Sequence, residues 1–166
     1  METYLERLPA ELESAIRGAS PDAMQQAPPG KWNSAQILEH LYLSYKATNV
    51  KIAQCLDAGK PMATTASLAQ RLSVFVITGL GFFPEGVKSP AVAVPRGLPP
   101  GDVQAAIFAE IQKMAAGLDE CERRFGAGTK LMDHPILGPL NVHQCRKLHW
   151  LHGRHHARQI RARLKL

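Results

Sequence analysis

The chain has 166 residues, 45% hydrophobic and 20% charged, which allows one packed domain over residues 1–166 and excludes a disordered polymer. The formal net charge of +6 raises nucleic acid as a partner. However, the cations form no compact block and the two Trp, three Tyr and five Phe do not interleave with them, so the charge reads as solvated helix faces plus a basic C-terminal end.

No long run alternates apolar and polar residues, so no strand is expected, whereas four segments carry helical periodicity. The opening residues are not read as a secretory leader, because no basic stretch leads into an apolar one. Leu5, Leu8, Leu12 and Ile16 recur at three- and four-residue steps and predict a first helix over about 2–18, with Gly18 as its stop. Ser20 and Pro21 then suit the cap and first position of a short helical turn, which ends at Pro28-Pro29-Gly30. A second long helix is predicted over 34–58. Asn33 caps it, Gln36 takes the capping-box position, and Ile37, Leu41, Ser44, Tyr45, Thr48 and Ile52 form its stripe.

From Gly59 to Gly101 the chain changes character and holds six of the twelve prolines. Only 68–80 fits one more short helix there. The apolar run at 72–83 is broken by Ser73, Thr78, Gly79 and Gly81 and is too short to span a bilayer. A connection this long signals a crossover or a lid. A third long helix, capped by Asp102, runs to Phe125 on Val103, Ala106, Ile107, Ile111, Met114 and Leu118. A rigid turn follows over 133–140, and Asn141, with Gln144 three residues on, caps a fourth helix reaching nearly to the last residue. Cys55, Cys121 and Cys145 are odd in number and contain no CxxC, which argues against a disulfide framework. The expected location is the cytoplasm, with no membrane partner.

Four of the seven histidines lie between His149 and His156. At 3.6 residues per turn, Cys145, His149, His152 and His156 share the inward face of the fourth helix, and His155 points away. A histidine pair at i, i+4 sets two imidazoles on successive turns, close enough to hold one ion. The same spacing also serves packed or hydrogen-bonded histidines that bind nothing. A stable site needs a third ligand, and His40 is the candidate, on the face of Ile37, Leu41 and Ser44. His40 lies roughly 10 Å along its helix, and His152 and His156 lie roughly 12–15 Å from the end of theirs. These depths match if the two helices run antiparallel, which the forty-odd-residue crossover permits.

Two stretches carry a family resemblance: Lys31-Trp32-Asn33-Ser34-Ala35-Gln36-Ile37-Leu38-Glu39-His40-Leu41 and His152-Gly153-Arg154-His155-His156-Ala157-Arg158-Gln159-Ile160. Together they resemble the DinB-like superfamily, which includes damage-inducible DinB proteins, bacillithiol S-transferases and mycothiol-dependent isomerases. The turn His134-Pro135-Ile136-Leu137-Gly138-Pro139-Leu140 resembles one uncharacterised branch of it. The resemblance implies an all-α four-helix bundle with a long crossover between helices 2 and 3. It also implies a metal triad at His40, His152 and His156, and a homodimer. His149 departs from the pattern, as a fourth ligand, a catalytic proton carrier or a packed core residue.

Three neutral imidazoles leave a coordination position open, as catalytic sites do. Zn or Ni leads as the ion, with Fe or Mn next. An open position activates water, giving a hydrolase, or a low-molecular-weight thiol attacking an electrophilic small-molecule substrate, giving an S-transferase. The resemblance favours the transferase. A bundle that only stores or senses a metal or small molecule is the non-catalytic alternative, and nucleic acid is not expected. Residues 68–83 are expected to cover the site. Cys145 reads as a small core residue, Trp32 as an anchor for the second helix, and Arg154, Arg158 and Gln159 as mostly solvent-facing.

Overall fold

The computed structural model describes residues 4–79 and 88–165. Among these residues six α-helices appear: α1 (Leu8–Ile16), α2 (Pro21–Gln25), α3 (Ser34–Ala58), α4 (Leu68–Val74), α5 (Pro100–Phe125) and α6 (Val142–Leu164). A π-helical turn, Phe75–Gly79, extends α4, and a 3-10 turn spans Ala91–Ala93. Two short strands, β1 (Lys130–His134) and β2 (Gly138–Asn141), complete a mostly helical fold.

Local chemistry accounts for the helix boundaries. The Asn33 side chain accepts the Gln36 N–H at 2.8 Å, and the Gln36 side chain accepts the Asn33 N–H at 3.0 Å. Asn141 and Gln144 repeat the same reciprocal cap on α6 at 2.9 and 3.1 Å. Each box supplies two acceptors to N–H groups that a helix start otherwise leaves unpaired. Gly59 ends α3 at φ 65°, a left-handed conformation that favours glycine.

Four expectations need correction. The segment 133–140 is not only a turn: β1 and β2 pair antiparallel, with Met132 opposite Leu140 and His134 opposite Gly138. Strands of five and four residues are too short to display alternation, and Gly138 and Pro139 hide the second. Helix α5 begins at Pro100, with Asp102 inside its first turn rather than at its cap, because proline suits the first helical position. Helix α1 is shorter than the 2–18 expected, although Leu5 still reaches the core, and residues 2 and 3 lie outside the described residues. The 68–80 helix turns π-helical at Phe75, and Leu80 lies outside the described residues.

Helix α3 packs along α5 and α6, and α1 lies on α6. Leu8, Leu12, Leu41, Tyr45, Ile107, Met114, Leu118 and Ile160 fill the space between them. Two glycines permit these contacts. A Cβ on Gly153 would stand 2.3 Å from Leu8 Cδ1 and 3.0 Å from Tyr45 Oη, so α1 and α3 both press onto α6 there. A Cβ on Gly117 would stand 2.6 Å from Ile52 Cγ2, where α5 meets α3. Among the described residues no helix is long and apolar enough to cross a membrane.

Gly153→Ala is expected to destabilise the protein by about 1–3 kcal/mol through overpacking, despite the better helix propensity of alanine. Gly101→Ala, in the first turn of α5 with open space around it, is expected to be neutral or slightly stabilising. Urea denaturation of the two variants checks the contrast. Equal midpoints would mean that α6 is not tightly seated at Gly153.

Candidate metal centre

Helix α3 places His40 on its buried face, and α6 places His152 and His156 on successive turns facing it. His40 Nε2 lies 3.1 Å from His152 Nε2, and His156 Nε2 lies 3.0 Å from the same atom. Potential ligand nitrogens of the three rings all lie within 4.8 Å of one another. The three residues expected as ligands are therefore brought together.

Their outer hydrogen bonds decide where the protons sit. His40 Nδ1 is 2.8 Å from the Ala93 carbonyl, which can only accept, so Nδ1 carries the proton and Nε2 the lone pair. Ser89 Oγ, whose own proton points to the Pro90 carbonyl at 3.4 Å, lies 3.2 Å from the same nitrogen as a second acceptor. His156 Nδ1 is 2.7 Å from Gln159 Oε1, and the Gln159 amide nitrogen donates to His155 Nε2 at 3.1 Å. That network orients the amide and gives His156 the same tautomer as His40. At least two of the converging Nε2 atoms are then bare lone pairs, and at most one proton lies among the three. At most one N–H, on His152, serves the two lone pairs, so the cluster is under-satisfied without a cation, and neutral imidazole is the form that ligates metals. The donor set fits a divalent transition-metal ion, and the outer partners supply the orientation such ligands need.

The triad forms part of the wall of a cavity of about 750 Å³. Trp32, Ile77, Met132, Leu137 and Leu148 contribute its apolar lining. The Trp32 ring lies 5.3 Å from that of His40, so this residue borders the site as well as starting α3. The cover expected from 68–83 is present in part. Ile77 lines the cavity, whereas Leu68, Leu72 and Phe75 are exposed, and residues 80–83 lie outside the described residues.

His149 also lines the cavity but stands apart from the triad. Its Nε2 is 3.1 Å from Thr48 Oγ1, and the Thr48 proton is directed to the Ser44 carbonyl at 3.1 Å. His149 must therefore donate from Nε2, which leaves a bare Nδ1 with no hydrogen-bond partner among the described residues. Cys145 is buried, and burial pushes its thiol up to about 12, so it stays protonated and acts as core. Gln159 faces its neighbouring histidines rather than solvent. His155, placed off the inward face by the helical wheel, lines the same cavity, with its ring 5.2 Å from that of His156. Arg154 stacks on Trp150 at 5.3 Å.

Sequence reasoning missed Glu39. Its buried carboxylate accepts backbone N–H groups from Arg96 at 2.6 Å, Gly97 at 3.1 Å and Leu98 at 3.2 Å. This pins residues 96–98, just beyond the 3-10 turn that ends at Ala93, onto α3, next to His40. The helical wheel sets Glu39 opposite the stripe of Ile37, Leu41 and Tyr45, so helical periodicity carried no signal for its burial.

A family model described as a protein of unknown function, DUF1569, matches residues 10–163. The chain belongs to the DUF1569 family. The matched span includes all three histidines and Glu39. No curated protein and no solved structure matches the chain.

In this DUF1569 member, burial disfavours the charged form of each site imidazole. It brings His149 down to about 3, with the charge of His134 adding to the effect. It brings His156 to about 3, helped by His40, and holds His152 well below the ordinary range, helped by His156 and His40. His40 is also lowered by burial, with the Ala93 hydrogen bond opposing. At His149 and His156 an unfolded chain takes up a proton near pH 6.5, whereas the folded chain resists until about pH 3. The unfolded state thus binds more protons inside that window, and stability falls as pH falls through it.

Each strongly lowered histidine contributes up to about 1.4 kcal/mol per pH unit. The metal-free protein is therefore expected to have a clearly lower urea midpoint at pH 5 than at pH 7. Equal midpoints would mean that the imidazoles are solvated. Glu39→Ala strands three backbone donors and is expected to cost about 3 kcal/mol. By loosening the acceptor of His40 it should also weaken metal affinity by about tenfold. Parallel denaturation and metal titration check both effects.

Proposed function

We propose that this protein is a divalent-metal-dependent enzyme of the DinB-like kind, a four-helix bundle with a crossover between α3 and α5, and that it activates a low-molecular-weight thiol for attack on an electrophilic carbon. The observation that carries the reading is the convergence of three imidazole Nε2 atoms, with His40 and His156 held on their outer nitrogens as metal ligands are held, on the wall of a cavity large enough for a small substrate. A divalent ion there supplies Lewis acidity, which lowers the pKa of a thiol or water nucleophile.

The chain's own residues do the rest. His40 is oriented by Ala93 and Ser89, and His156 by Gln159, so their lone pairs stay directed inward. The apolar lining excludes water and accommodates the electrophile. His149 is the candidate proton acceptor, because its Nδ1 is bare and the residue lines the cavity. Its lowered pKa means that it passes a proton on rather than storing it. The adjoining cavity supports a catalytic role over storage. With water as nucleophile, the same residues would serve a hydrolase.

Elemental analysis of the purified protein is expected to find about one equivalent of Zn or Ni per chain, and little in a folded His152→Ala variant. No metal in either, after incubation with Zn²⁺ and Ni²⁺, would reduce the cluster to core packing.

A further inference from the structure

The cavity has a second polar end that the metal centre does not use. Lys51 sits on α3 eleven residues beyond His40, roughly 16 Å of helical rise away, yet lines the same cavity. Its Nζ donates to the Asp133 carbonyl, a neutral partner. Lys51 is half-buried, and among the described residues it has no salt bridge. The nearby Asp133 carboxylate instead accepts the Thr64 N–H at 3.1 Å. Two of the three Lys51 ammonium hydrogens remain available.

His134 lines the cavity at the same end. Its Nδ1 accepts the backbone N–H groups of Ile136 at 3.2 Å and Leu137 at 3.3 Å, so the tight β1–β2 connection holds the ring. Two donors on Nδ1 place the proton of the neutral ring on Nε2, making that atom a donor. The wider lining has the same sign: Lys31, Lys51 and Lys88 against Asp133 as the one acidic residue among those lining it. A metal ion held by three neutral imidazoles would add its full charge. A low-dielectric cavity walled this way concentrates anions.

We propose that Lys51 and His134 form a recognition subsite for the carboxylate end of an anionic substrate, whose reacting end lies several bonds away at the histidine triad. This inference rests on the metal-centre reading and specifies the class of molecule that reaches it. Lys51 supplies the charge, and the orientation of His134 supplies a directed N–H.

The test uses full-length protein loaded with Co²⁺ and two thiols of equal length, mercaptohexanoate and mercaptohexanol. Binding is followed by the sulfur-to-cobalt charge-transfer band. Mercaptohexanoate is expected to bind about tenfold more tightly. That preference should vanish in Lys51→Met, with Co²⁺ content unchanged, and persist in Lys51→Arg. Equal affinities in the parent protein, including no binding of either thiol, would overturn the subsite even if Lys51→Met failed to fold. So would a preference that survives in Lys51→Met. Failure to take up Co²⁺ would instead overturn the metal-centre reading itself, so the two failures are distinguishable.

Discussion

The site depends on how closely α3 approaches α6. The histidine triad is split between these helices, and its Nε2 separations of 3.0 and 3.1 Å tolerate little change in their spacing. Gly153, next in sequence to His152, allows Tyr45 of α3 and Leu8 of α1 to occupy space that any larger side chain would claim. A hydrogen atom in place of a methyl group thus sets the helix separation, and the separation sets whether three rings can share one cation. Packing and chemistry meet on adjacent residues of the same helix turn.

The arrangement is costly without a ligand. Burial disfavours charge on several imidazoles, and the converging lone pairs have at most one N–H donor to share. Hydrogen bonds on the outer nitrogens of His40 and His156 stabilise the rings but do not relieve the crowding inside. A cation that binds the folded state alone therefore adds its binding free energy to stability. Glu39 works on the same problem from the other side. By gathering three backbone donors from the crossover, it keeps the Ala93 carbonyl where His40 needs it.

Much of this was legible in the sequence because it follows helical repetition. The reciprocal caps at Asn33 and Asn141 marked helix starts that the structure reproduces, and the i, i+4 spacing put His152 and His156 on one face. His40 was reachable because it sits on an apolar stripe whose period is set by the helix. The hairpin was not legible, since four or five residues hold too few alternations to stand out. Nor were the roles of Glu39, Ala93 and Ser89, because contacts across more than forty residues depend on the path of the crossover. His155 shows a further limit: a wheel gives the direction of a Cα–Cβ bond, whereas a long side chain beside a cavity can swing into it.

The junction between β2 and α6 has a consequence for how this family can vary in length. Asn141 is both the last residue of the strand and the cap of the helix, so no linker separates them. The hairpin therefore fixes the rotational phase of the whole helix. One residue inserted or deleted there would turn every α6 side chain by about 100° and carry the histidines out of the cavity. The connection at 126–129, between α5 and β1, bears no such constraint. Relatives that keep the triad should accommodate insertions in that loop or in the crossover, and hold the strand-to-helix junction at constant length.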